Sequence, residues 1–83
     1  MIRAIIADDE PLAREKVLLF SKDEPDLDIV GVCQNGKEAV EASLKYHPDV
    51  LFLDIQMPEM SGFEVLQHLS STEFPEVIFI TSA

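Results

Sequence analysis

The 83-residue sequence predicts a single α/β domain built on a parallel sheet. Two observations carry this. Short apolar runs alternate with segments of helical periodicity in the order β-α-β-α-β-α-β, the pattern of parallel strands joined by helical crossovers. Capping signals also stand at the helix starts, so the alternation has punctuation as well as hydropathy.

The first strand is expected over residues 2–7, Ile-Arg-Ala-Ile-Ile-Ala, and a helix from Pro11 to about Phe20. Pro11 suits the first helical turn, where a missing N–H removes no bond. Asp23-Glu24-Pro25-Asp26 is a turn. Leu27, Ile29 and Cys33, with Val30 and Val32 between, make a second strand which Asp28 and Gly31 interrupt, a mixture that suits a sheet edge. Asn35 and Glu38 have capping-box spacing and open a second helix, which runs to about Tyr46. It closes at His47-Pro48, because the residue before proline disfavours helix.

Residues 50–53, Val-Leu-Phe-Leu, form a third strand with the unbroken apolar character of one covered on both faces. Ser61 and Glu64 repeat the capping box and start a third helix, with Phe63, Leu66 and Leu69 expected in the core. Val77-Ile78-Phe79-Ile80 is a fourth strand that reads as buried.

Composition narrows the function. Hydrophobic residues make up 47% and charged residues 27%, as in an ordinary soluble domain. Sixteen acidic against six basic residues give a net charge of −10, which argues against direct nucleic-acid binding. One cysteine, Cys33, allows no internal disulfide, and no apolar run reaches membrane-spanning length. A cytoplasmic setting without membrane contact is therefore expected.

The chemistry gathers at the strand ends. Asp8 and Asp9 end the first apolar run, and Asp54 ends the third. Carboxyl ends of neighbouring parallel strands share one crevice, where ligands bind in open α/β sheets. Two unit charges about 4 Å apart repel by about 4 kcal/mol at an effective dielectric near 20, so the trio calls for a hard cation. Magnesium is the expected ion, with Asp9 and Asp54 as direct ligands and Asp8 ligating directly or through water. Asp54 is then the candidate nucleophile, since a carboxylate that attacks a phosphoryl group gives an acyl phosphate. Thr81, after the fourth strand, can offer a hydroxyl to a phosphoryl oxygen.

Plainer readings stand beside these. Asp8 or Asp9 taken singly could be an N-cap of the first helix, and threonine is common in strands. Asp54 is harder to dismiss, because a loop follows it. His47 and His68 lack metal-ligand spacing, and Ser82 has no catalytic-triad surroundings. Met57 and Met60 read as packing residues.

Ala7-Asp8-Asp9-Glu10, Leu53-Asp54-Ile55-Gln56-Met57-Pro58, Gly62 and Thr81-Ser82-Ala83 together resemble the receiver domain of two-component response regulators. The match runs through the whole chain. Asp9-Glu10-Pro11-Leu12-Ala13-Arg14 and His47-Pro48-Asp49 more closely resemble receivers attached to LytTR-type DNA-binding domains. The resemblance implies a flavodoxin-like sheet and makes residues 1–83 the N-terminal portion of a receiver, short of a fourth helix, a fifth strand and a fifth helix. It implies Asp54 as phosphoacceptor from a sensor histidine kinase, and Thr81 as the switch hydroxyl. Magnesium would be held by Asp8, Asp9, Asp54 and the backbone carbonyl of Gln56.

Such a domain catalyses chemistry on itself and is not a turnover enzyme. The family's lysine after the fifth strand has no counterpart here, so phosphorylation or switching is expected to be impaired. Self-association through the fourth strand or an uncovered sheet face is also expected. The alternative is a phosphorylation-independent interaction module. A hydrolase of the haloacid dehalogenase type would need an Asp-x-Asp pattern, and Asp54-Ile55-Gln56 does not supply it.

Overall fold

The computed structural model describes residues 1–57, 59–69 and 75–80. Seven elements follow in order: β1 (Ile2–Ala7), α1 (Pro11–Lys22), β2 (Leu27–Cys33), α2 (Gly36–Tyr46), β3 (Val50–Asp54), α3 (Gly62–His68) and β4 (Glu76–Ile80). The strands form one parallel sheet in the order β2-β1-β3-β4. This is the expected flavodoxin-like architecture, and β2 lies at an edge as its mixed composition suggests. Its pairing with β1 slips by one residue after Ala4, where Ala4 faces Ile29 but Ile5 faces Gly31.

The helix starts follow the capping chemistry. Asn35 accepts the amide of Glu38 at 2.9 Å, and the Glu38 carboxylate reaches back to the amide of Gln34 at 3.0 Å. The Ser61 hydroxyl accepts the amide of Glu64 at 3.2 Å. At the far end of α2, His47 adopts a left-handed conformation with φ 48°, which turns the chain out of the helix before Pro48.

One face of the sheet carries the main core. Ile5 and Ala7 of β1, Cys33 of β2 and Leu51 and Leu53 of β3 pack with Ala39, Met57, Val65 and Leu69. On the opposite face α1 buries none of its residues, and Leu12, Leu19 and Phe20 are largely exposed. There Phe20, Ile2, Val50, Phe52 and Ile78 line an apolar groove of about 270 Å³.

Two core expectations need correction. Phe63 is 57% exposed, and Val65 occupies the buried position of α3 instead. The helix spans seven residues, too few to bury a wide stripe, and Phe63 turns sideways to meet Phe79 at 5.4 Å between ring centroids. β4 is not buried either: among the described residues it is the sheet's second edge, with Ile78 and Phe79 half exposed.

Candidate acidic site at the strand tips

Register determines where the acids meet. Ala7 pairs with Leu53 across β1 and β3, so the next residues, Asp8 and Asp54, stand side by side where the sheet ends. Carboxylate oxygens of Asp8, Asp9 and Asp54 all lie within 4.8 Å of one another. Asp8 and Asp54 are buried and Asp9 is half-buried. The capping alternative for the aspartates is not realised. Glu10 is the N-cap residue of α1 and makes no side-chain cap bond.

Asp8 is held from several directions. Its amide donates to the Cys33 carbonyl at 3.1 Å, its Oδ1 accepts the Glu10 amide at 2.9 Å, and its carbonyl accepts Nη1 of Arg14 at 2.8 Å. Its Oδ2 is buried and has no hydrogen-bond partner. A buried carboxylate oxygen left unpaired is costly. Asp54 closes β3, and its Oδ1 accepts the Gln56 amide at 3.2 Å.

Electrostatics agree with the geometry. Burial pushes the Asp54 carboxyl up to about 6 from 3.8, against the opposing pull of the Gln56 amide. The charge of Asp8 and the close approach of the Asp8 and Asp9 carboxylates raise it further. A divalent cation among these oxygens would relieve the repulsion and satisfy Oδ2 of Asp8. An all-oxygen donor set with buried carboxylates suits a hard ion such as Mg²⁺. The residues therefore fit the expected metal.

Other residues named from sequence fall as follows. Gln56 follows the tip of β3 and is exposed. Thr81 lies outside the described residues. His68 is exposed at the end of α3, and the His47 carbonyl accepts Nη1 of Arg3 at 3.4 Å. Met57 is buried in the core, and Met60 packs against it.

Sequence reasoning missed two supports of the site. Arg14 reaches Asp8 from one turn into α1. Gly36 is the other, since a Cβ there would come within 2.8 Å of Cβ of Met60 and 2.9 Å of its carbonyl oxygen. Its signal in the sequence is only that glycine follows the cap residue Asn35. Gly62, one of the residues that carried the family resemblance, is placed in the same way against the backbone of Asp54.

Comparison with known proteins gives a consistent picture. The family profile described as the response regulator receiver domain matches residues 4–83. The transcriptional regulatory protein BtsR of Escherichia coli is 48% identical over 82 residues, covering 99% of this chain and 34% of that protein. The chain thus spans about a third of the length of the curated relatives it matches. Among solved structures, the signal receiver domain of the putative response regulator NarL from Mycobacterium tuberculosis superposes with a TM-score of 0.87 at 34% identity, over 96% of this chain and 65% of that one. CheY6 of R. sphaeroides, solved in complex with the P1 domain of CheA3, gives 0.83 at 30% identity, over 99% of this chain and 64% of that one.

Proposed function

Because this chain belongs to the response regulator receiver domain family, we propose that residues 1–83 are the N-terminal portion of a phosphoacceptor receiver in which Asp54 is the site of phosphorylation. The observation that carries this reading is the convergence of Asp8, Asp9 and Asp54, with the buried Oδ2 of Asp8 lacking any other partner.

The donor is a phosphohistidine on a sensor histidine kinase. An oxygen of the ionised Asp54 carboxylate attacks phosphorus, the N–P bond of the donor breaks, and an acyl phosphate forms on Asp54. The departing imidazole keeps the bonding electrons and takes a proton from solvent. Asp8, Asp9, Asp54 and the backbone carbonyl of Gln56 would hold Mg²⁺, which neutralises charge on the transferring group. At neutral pH an Asp54 carboxyl near 6 remains mostly ionised, so it is available as nucleophile. Thr81 serves as the switch hydroxyl, a role that rests on its place after β4.

Asp54 is modified once per signal, so the domain is a phosphoacceptor and not a turnover enzyme. The setting is cytoplasmic, which agrees with the lone buried Cys33. Among the described residues no helix is long and apolar enough to cross a membrane. The net charge of −10 favours a protein partner over nucleic acid for this part of the chain. The name of BtsR supports an output in transcription for the whole protein.

One structural feature supports a second, compatible activity. The groove on the α1 face and the half-exposed Ile78 and Phe79 favour self-association through β4 or the adjoining sheet face.

The test of the phosphoacceptor reading mixes the protein with Mg²⁺ and a small acyl phosphate and looks for a phosphoryl adduct by mass spectrometry. An adduct that disappears in Asp54→Asn is expected. No adduct in a protein that still binds Mg²⁺ would favour the interaction reading instead.

A further inference from the structure

We infer that Arg14 is a positioning residue for the acidic site: its guanidinium holds the Asp8 carbonyl and so keeps the Asp8 carboxylate beside those of Asp9 and Asp54. This rests on the proposed cation site and adds to it a residue that touches neither metal nor phosphoryl group.

The argument begins with what Asp8 must do. It is the first residue beyond β1, where regular pairing ends and the chain turns toward α1. A residue at such a junction has two soft dihedrals and no ladder to fix both of them. On its N-terminal side the peptide is fixed by the bond from the Asp8 amide to Cys33 of β2. On its C-terminal side the peptide is fixed by Nη1 of Arg14, 2.8 Å from the Asp8 carbonyl. With both peptides held and Oδ1 engaged by the Glu10 amide, the remaining oxygen, Oδ2, has its direction set.

Arginine suits the task. Its guanidinium stays charged at any working pH, and a charged donor to a carbonyl is stronger than a neutral one. It is half-buried one turn into α1, and its own amide makes a helical bond to the Glu10 carbonyl at 3.1 Å. The first turn of α1 and the tip of β1 are thereby joined by a helix bond and a side-chain bond from one residue. Since no residue of α1 is fully buried, this polar tie matters more than it would on a well-packed helix.

Outer partners that orient metal ligands typically cost 10–100-fold in metal affinity when removed. The experiment is calorimetric titration of the 83-residue protein with MgCl₂ alone at neutral pH, alongside metal-free thermal unfolding. Arg14→Ala is expected to weaken Mg²⁺ binding about tenfold, with Arg14→Lys recovering part of the loss because one charged donor remains. Lys16→Ala, an exposed charge on the same helix, is expected to leave binding unchanged. Adduct formation in Arg14→Ala should return toward the wild-type rate at saturating Mg²⁺, which a general loss of folding would not do.

A folded Arg14→Ala protein that binds Mg²⁺ within about twofold of wild type overturns the inference and leaves the phosphoacceptor reading intact. If Arg14→Ala does not fold, Arg14→Gln is judged by the same criterion. A wild-type protein that takes up no Mg²⁺ overturns both.

Discussion

A Cβ on Gly62 would stand 2.7 Å from the carbonyl oxygen of Asp54 and 3.1 Å from Cα of Ile55. The Gly62 amide donates to the Ile55 carbonyl at 2.8 Å, so the first residue of α3 lies directly on the backbone that carries the proposed phosphoacceptor. Space is the reason for glycine here, because no glycine in the described chain has positive φ. Gly62→Ala must push backbone against backbone. It is expected to lower stability by about 1–3 kcal/mol and to reduce adduct formation at Asp54. Gly31→Ala is the comparison: its Cβ would meet only side chains, the nearest being Cγ1 of Ile5 at 3.4 Å. Denaturant midpoints of the two variants should differ clearly, with Gly31→Ala close to wild type.

Removal of the Asp54 charge should stabilise the metal-free protein near neutral pH. The folded carboxyl titrates at about 6 against 3.8 for an unperturbed one, so between those values the folded state holds a proton that the unfolded state has lost. The corresponding stability is fully present below about pH 4 and is lost as pH rises through 6. The difference is on the order of 3 kcal/mol. With a chelator present, wild type should lose stability relative to Asp54→Asn between pH 4 and pH 7, and Mg²⁺ should restore much of it to wild type. Parallel pH profiles for the two proteins, measured by urea unfolding, would contradict this.

The convergence of the three acids was legible in sequence because parallel register is unforgiving. Once Ala7 and Leu53 are neighbours, acids at the next positions have to meet, and apolar runs ending in Asp reveal those positions. Helix starts were legible for a similar local reason, as Asn35 and Ser61 cap within three residues of themselves. What escaped depends on geometry that no short window encodes. The Arg14 bond spans six residues across a turn. The Gly62 contact is a matter of space between two elements. Val77-Ile78-Phe79-Ile80 reads as buried like Val50-Leu51-Phe52-Leu53, yet among the described residues Ile78 and Phe79 are half exposed. An apolar run reports what a strand can bury, and the neighbour that buries it lies elsewhere in the chain.

Cys33 should be inert in the native protein. Burial pushes its thiol up to about 11, with the charge of Glu38 adding to the effect. The thiolate is the reactive form, so near pH 8 only about one thiol in a thousand is competent. Alkylation is expected to be slow in buffer and fast in urea, with the native rate tracking unfolding. The same shift contributes stability that is complete below about pH 9 and is lost as pH passes 11.

Among the described residues, the two edges of the sheet differ in how well they resist pairing. β2 carries Asp28 and the register slip beside Gly31, features that blunt an edge. Beyond Glu76, β4 is Val-Ile-Phe-Ile with no charge to discourage another chain. Its residues alternate between two apolar surfaces: Ile78 lines the groove with Ile2, Phe20 and Phe52, whereas Phe79 meets Phe63. The groove gathers more large side chains, so association is expected to run through the Ile78 face. Sedimentation over a concentration series should then show dimers of wild type and of Phe79→Lys, but monomers of Ile78→Lys. The reverse order would place the contact on the Phe63 side of the sheet, and monomers throughout would remove self-association from the protein's repertoire.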